Sequence, residues 1–242
     1  IGDQEKEAVM RVMNEGYFGM GKEVKKFEEE LSEFFNKPAL CVVNGTAALQ
    51  LAIEAAGIGS GDEILVQSLT YVASFQAITA SGAKPVACDV CNDFGIDIDD
   101  AKNKISKKTK AIMPVHYAGN PARLKLIYDF AKKHNLRVIE DAAHAFGSEY
   151  EGQRIGFLGD IVCFSFDGIK NITSGEGGCV VSSDEKIISA IKNSRLLGVH
   201  NDTENRFEGH RTWNPDVTSQ GWRYHMSDLM AAIGRVQLKN FE

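Results

Sequence analysis

Long apolar runs are missing from this 242-residue chain. No stretch approaches the roughly 18 uninterrupted apolar residues that a membrane-spanning helix needs, and the first residues carry no signal-peptide core. The expectation is a cytoplasmic protein with no membrane partner. Excess basic charge is missing too: 27 Lys and Arg against 33 Asp and Glu leave a formal charge of −6. A nucleic-acid binder needs a basic face, and no local patch supplies one, so nucleic acid is not an expected partner. Cysteine is sparse, with five residues at 41, 88, 91, 163 and 179. Their odd number and scattered spacing exclude a disulfide framework. Cys88 and Cys91 form a CxxC without a second pair, and the acidic setting "CDVCND" raises a thiol pKa rather than lowering it. No metal site is expected. Low-complexity tracts are also missing, and 43% hydrophobic with 25% charged residues is an ordinary globular composition.

What is present is alternation. Val24, Phe27, Leu31 and Phe34 share one helical face, as do Leu124, Ile127, Tyr128 and Ala131. Asn120 followed by Pro121 reads as the cap and first turn of the second of these helices. Between the helices lie short apolar runs: "ALCVV", "EILVQ", "KPVACD", "KAIMPV", "LRVIED", "IVCFSF" and "GCVVS". Runs of this kind suit strands covered on both faces, which predicts an α/β chain with a largely parallel sheet between helices. Residues 199–226 are polar and lack periodicity, a length of chain that is usually functional or mobile. A last amphipathic helix starts near Ser227 and is expected still to be running where the sequence stops.

Ligands of such sheets bind beyond the carboxyl ends of the strands. After "ALCVV" comes "NGTAAL", where Gly45 allows a tight turn and Thr46 and Ala47 open a helix whose amides suit an anion. After "LRVIE" comes Asp141, a carboxylate among alanines that needs a cation or donor. After "IVCF" come Ser165 and then Lys170, in a loop made close-fitting by Gly168, Gly175, Gly177 and Gly178. Tyr71 follows "EILVQSLT". Each has a bland alternative: a plain helix start, a cap, a solvated lysine, a core tyrosine. Together they are what pyridoxal phosphate needs, namely amides for its phosphate, a face for its ring, a carboxylate for its pyridinium nitrogen and an amine for its aldehyde. A desolvated lysine is the nucleophile that forms such a Schiff base.

The segments "NGTAALQLAIEAAGIGSGDEILVQSLTYVAS", "VHYAGNPARL", "VIEDAAHAFGSEYEGQRIG" and "CFSFDGIKNITSGEGGCVV" resemble the DegT/DnrJ/EryC1/StrS sugar aminotransferases in order and spacing. The resemblance runs over nearly the whole chain. It implies an aspartate-aminotransferase-like fold, PLP fold type I, with a large mixed-sheet domain, a small C-terminal domain and a dimeric active site. Residues 1–36 are then an N-terminal helical segment and 37–198 the cofactor-binding large domain. Residues 199–242 become a polar loop and the start of a helix leading to a C-terminal domain that the sequence lacks. By position, Lys170 is the Schiff-base lysine and Asp141 the partner of the pyridinium nitrogen. His144 lies near the ring and its phenolic oxygen, Thr46, Ala47 and Ser165 hold the phosphate, and Tyr71 stacks. Lys170 also argues against the branch of the family that has histidine there and dehydrates sugars. Where the family reads "GYNYRM", with its Asn reaching the neighbouring subunit's cofactor phosphate, this chain reads "GWRYHM". That puts Arg223 at the phosphate-contacting position.

The resemblance therefore implies transfer of an amino group, from glutamate, to a nucleotide-linked keto-deoxysugar. "VHYAG" and "EDAAH" favour C4 of a 4-keto-6-deoxyhexose destined for surface polysaccharide such as lipopolysaccharide O-antigen. C3 amination and a non-catalytic cofactor- or sugar-binding homologue stay open. The expected partners are the nucleotide sugar, the amino-acid donor and a second copy of the chain in a homodimer with shared active sites. A nicotinamide dehydrogenase is set aside, because the first strand leads into "NGTAAL" and not into a GxGxxG turn.

Overall fold

A computed structural model of the chain describes residues 1–199, 216–217 and 219–241. The helices are α1 (Asp3–Glu15), α2 (Lys22–Phe35), α3 (Gly45–Ala55), α4 (Val72–Ala80), α5 (Ile98–Lys104), α6 (Leu124–His134), α7 (Glu185–Ser194) and α8 (Asp228–Lys239). The strands are β1 (Ala39–Val42), β2 (Glu63–Gln67), β3 (Lys84–Cys88), β4 (Thr109–Met113), β5 (Arg137–Asp141), β6 (Glu149–Tyr150), β7 (Gln153–Arg154), β8 (Ile161–Ser165) and β9 (Gly178–Ser182). All seven apolar runs of the sequence form strands of one sheet, in the order β1-β9-β8-β5-β4-β2-β3. In this sheet β9 runs antiparallel to both β1 and β8, and β2, β3, β4, β5 and β8 pair in parallel.

The strands are apolar throughout because both sheet faces are covered. Successive residues of a strand point to opposite sides. In β8, Ile161 and Cys163 join an apolar layer with α3, α4 and α7, while Val162 and Phe164 join a layer with α2 and α8. Cys41, Cys163 and Cys179 are buried free thiols in these layers, as small hydrophobes are expected to be. Among the described residues no helix is long and apolar enough to cross a membrane.

Two expected boundaries shift. The helix assigned to Asn120-Pro121 begins only at Leu124. The Asn120 side chain instead accepts a bond from the Ala122 amide at 2.9 Å, and Ala122 takes a left-handed φ of 47°, which breaks any helical path through Pro121. The last helix starts as expected, with Ser227 accepting from the Met230 amide, but it ends at Lys239 with Asn240 as C-cap instead of running to the end of the sequence. Of the polar stretch 199–226, residues 200–215 and 218 lie outside the described residues.

Candidate active site

The carboxyl ends of β1, β5 and β8 meet at one edge, and β9 starts there, with Gly178 paired to both Val42 and Ser165. The loop from Phe166 to Gly177 therefore leaves and returns at a single point, closed by the Phe166 amide on the Gly177 carbonyl at 2.8 Å. Inside it, Asp167 Oδ1 accepts from the Ile169 amide and the Asp167 carbonyl from the Lys170 amide. Asn171 Nδ2 donates to the Phe146 carbonyl at 2.9 Å. These bonds fix the backbone on both sides of Lys170. Close packing requires one of the four glycines: a Cβ at Gly178 would lie 2.7 Å from the Asn44 backbone, while one at Gly177 would meet only the movable Met226 Cε within 3 Å, at 2.8 Å. Gly175 serves by its φ of 80°, whereas Gly168 meets no close neighbour.

Thr46, Tyr71, Asp141, His144, Ser165 and Lys170 line one cleft of about 640 Å³. At one wall of it, Asn44 caps α3, its side chain accepting from the Ala47 amide at 2.8 Å and its carbonyl from the Ala48 amide at 3.1 Å. Ala47 is thus buried with its amide engaged. The amides left open by the cap, at the positive end of the helix, are those of Gly45 and Thr46. A Cβ on Gly45 would come within 2.9 Å of Ser165 Cβ, so glycine is what lets the helix start approach the Ser165 hydroxyl.

Asp141 is 5% exposed. Ser74 Oγ donates to its Oδ2 at 2.7 Å, and the Ala143 amide to its Oδ1 at 3.2 Å. Tyr71, at the start of α4, is 72% exposed, a free ring on the wall of the cleft. His144 Nδ1 accepts from the Ala118 amide at 3.4 Å. Burial first, and then the positive charge of Lys170, hold its pKa below the ordinary histidine value, with Asp141 pulling the other way. Arg223 is exposed and does not line this cleft.

Sequence reasoning missed Ser74, Tyr117, Asp167 and Glu176. Tyr117 lines the cleft with its ring 6.0 Å from that of His144. Glu176 and Asp167 also line it, and burial followed by the neighbouring Asp167 pushes the Glu176 carboxyl up. The second residue of "GEGG" was a visible signal for Glu176, whereas a serine in a first helical turn gives none. The CxxC behaves as its acidic setting implied: burial and nearby aspartates push Cys88 up to about 11, and Cys91 rises for the same reasons. Two open amides, two hydroxyls, an aromatic wall, a donor-held carboxylate and an amine in one cleft fit pyridoxal 5′-phosphate group by group.

The family model of the DegT/DnrJ/EryC1/StrS aminotransferase family matches residues 1–242. The chain is 41% identical over 239 residues to the GDP-perosamine synthase of Escherichia coli O157:H7, covering 98% of this chain and 63% of that protein. Among solved structures, Helicobacter pylori PseC, an aminotransferase involved in the biosynthesis of pseudoaminic acid, superposes with a TM-score of 0.90 at 31% identity, over 100% of this chain and 64% of that one. The PLP form of Spr1654 from Streptococcus pneumoniae superposes with a TM-score of 0.91 at 30% identity, over 100% of this chain and 65% of that one. The chain thus spans a little under two thirds of the length of these relatives, and its fold is that of the fold-type I PLP aminotransferases. Matched from its first residue to its last, the chain belongs to the DegT/DnrJ/EryC1/StrS aminotransferase family.

Proposed function

We propose that this protein transfers an amino group, with pyridoxal 5′-phosphate as cofactor and glutamate as donor, to C4 of a nucleotide-linked 4-keto-6-deoxyhexose. The reading places it in the cytoplasm as a homodimer with shared active sites, supplying surface polysaccharide. One observation carries it: Lys170 and Asp141 line the same cleft as the N-terminus of α3. The likeness to a GDP-perosamine synthase supports a nucleotide-linked sugar as substrate.

When bound, the cofactor supplies an electrophilic carbon for an amine and a ring that accepts electrons from it. The Gly45 and Thr46 amides, with the Thr46 and Ser165 hydroxyls, would bind the phosphate at the positive end of α3. Asp141, kept in place by Ser74, would hold a proton on the ring nitrogen. Tyr71 would offer the ring an aromatic face and keep water from it, and His144 would serve its oxygen. Lys170 Nζ would be the amine that holds the cofactor's aldehyde carbon and the base that holds the substrate proton beside it.

The test is borohydride reduction of the protein loaded with pyridoxal phosphate, followed by peptide mapping. The adduct is expected on Lys170. Incubation with glutamate and a panel of dTDP-, UDP- and GDP-keto sugars is then expected to yield a 4-amino sugar, with NMR of the product separating C4 from C3. Lys170→Arg should slow the transfer at least about a thousand-fold, roughly 4 kcal/mol of barrier. Normal turnover by that variant, or an adduct on another residue, would sink the reading.

A further inference from the structure

The strand that ends in Asp141 carries a second carboxylate, Glu140, that none of the roles above uses. Neighbouring strand residues face opposite sides, so while Asp141 meets Ser74 on α4, Glu140 faces Tyr128 on α6. Glu140 and His116 are each 1% exposed. His116 Nε2 is hydrogen-bonded to Glu140 Oε2 at 2.7 Å, and the Tyr128 hydroxyl donates to Oε1 at 2.5 Å. The Tyr128 oxygen in turn accepts from the Asp160 amide at 2.8 Å. Gly159 lies where a Cβ would come within 2.5 Å of Glu140 Oε1, so the chain leaves out a side chain to admit this carboxylate. A carboxyl group so deeply buried is tolerated only with hydrogen-bond partners on its oxygens, and those partners fix its direction.

His116 is also tied to the cleft through its backbone. Its amide donates to the Asp141 carbonyl at 3.0 Å, and the Asp141 amide donates to the Pro114 carbonyl at 2.9 Å. The residue after it, Tyr117, lines the cleft, and the Ala118 amide sits on His144. Neither His116 nor Glu140 lines the cleft. We infer that Glu140 and His116 are positioning residues: their buried pair locks the end of β5 to the loop after β4, and so fixes the direction of the Asp141 carboxylate and the place of Tyr117. This rests on the cofactor reading given above.

A purely structural pair and a positioning pair respond differently to apolar replacement, because packing restores stability without restoring direction. His116→Phe leaves Glu140 buried with one partner fewer. The double variant His116→Phe/Glu140→Leu removes the stranded carboxyl group. His116→Gln keeps an N–H that can reach Glu140. The readouts are the melting temperature of the apoprotein, the dissociation constant for pyridoxal phosphate and the visible absorption maximum of the bound cofactor. His116→Phe is expected to lower the melting temperature and the double variant to recover it. Both should bind cofactor at least about tenfold more weakly, with a displaced absorption band, because a misdirected Asp141 forfeits a charge-assisted hydrogen bond. His116→Gln should stay within about threefold of the parent, since the hydrogen bond survives. If His116→Phe does not fold, the double and Gln variants decide alone. A double variant that regains stability, affinity and spectrum together overturns the inference and leaves the cofactor reading standing. A parent protein that forms no lysine-bound cofactor overturns both.

Discussion

At the scale of single residues, the candidate site depends on groups one step removed from it. Thr70 Oγ1 lies 2.6 Å from Ser74 Oγ, which donates to Asp141. A hydrogen bond to a charged group contributes about 1.5–3 kcal/mol. Ser74→Ala should therefore weaken cofactor binding roughly ten- to a hundred-fold in a spectroscopic titration, and cofactor affinity equal to the parent's would show that Ser74 does not hold Asp141. His144 gives a second handle. Its folded pKa is below the ordinary 6.5, so the folded state takes up the proton at lower pH than the unfolded chain. Its contribution to stability is present above that ordinary value and is lost as pH falls through the folded one. An NMR titration should place the His144 midpoint under 6.5, and Lys170→Met should raise it only part of the way, because burial is the larger cause. An unmoved midpoint would mean the two groups do not feel each other. Lys170 and Asp141 were legible in the sequence because each follows a strand inside a long, specific motif. Ser74 was not, since its role exists only once α4 crosses the end of β5. The bond of the Asn44 side chain to the Ala47 amide was not legible either, since a cap finds its amide only once the turn before α3 is built.

At the scale of elements, helix faces and strands were readable because their periodicity is local, while their ends depend on distant partners. Gly21 offers α2 no side-chain cap. Asp228, in the first turn of α8, supplies one, its Oδ1 accepting from the Gly21 and Val24 amides at 2.8 and 3.1 Å. A Cβ on Gly21 would lie 2.6 Å from the other oxygen, so the missing local cap makes room for the remote one. The outer edge of β1 is closed in the same way: Ser32 Oγ accepts from Ala39, Glu28 from Cys41 and the Tyr224 carbonyl from Val43. Such cover leaves that edge little to offer a foreign strand. Burial raises the Asp228 pKa above its ordinary 3.8. The folded state therefore holds this proton at higher pH than the unfolded chain, and the contribution of Asp228 to stability falls as pH rises from 3.8 through the raised value. Asp228→Asn keeps an acceptor without a buried charge, so denaturant melts should place it within about 0.5 kcal/mol of the parent at neutral pH, or above it. Asp228→Ala, which strands two amides, should lose about 1–2 kcal/mol. Equal losses in both variants would mean that the carboxylate charge, and not its acceptor geometry, holds α2.

At the scale of the whole molecule, the gathering of strand ends at one sheet edge was legible, because a parallel sheet leaves few alternatives. The place of Arg223 was not. Trp222 and Tyr224 stack with ring centroids 5.7 Å apart, and both are tied to α3, Trp222 Nε1 to Glu54 at 2.8 Å and the Tyr224 hydroxyl to Gln50 at 3.2 Å. This strap fixes the backbone on either side of Arg223 and leaves the guanidinium exposed, off the cleft that holds Lys170. If the proposed homodimer shares its sites, Arg223 serves the phosphate of the partner copy, and that is open to complementation. Lys170→Ala chains lack the amine, and Arg223→Ala chains deprive the other copy of its phosphate contact, so each should be poorly active alone. In a mixed dimer, one site receives Lys170 from one chain and Arg223 from the other, while the second site receives neither. By the symmetry of the dimer, random reassembly of equal amounts makes about half the dimers mixed and restores about a quarter of the parental sites. Activity should rise toward that fraction on mixing. An arginine serving its own chain would give no rise at all, because the mixed dimer would then hold no site with both groups, and full activity of Arg223→Ala alone would remove it from the site altogether.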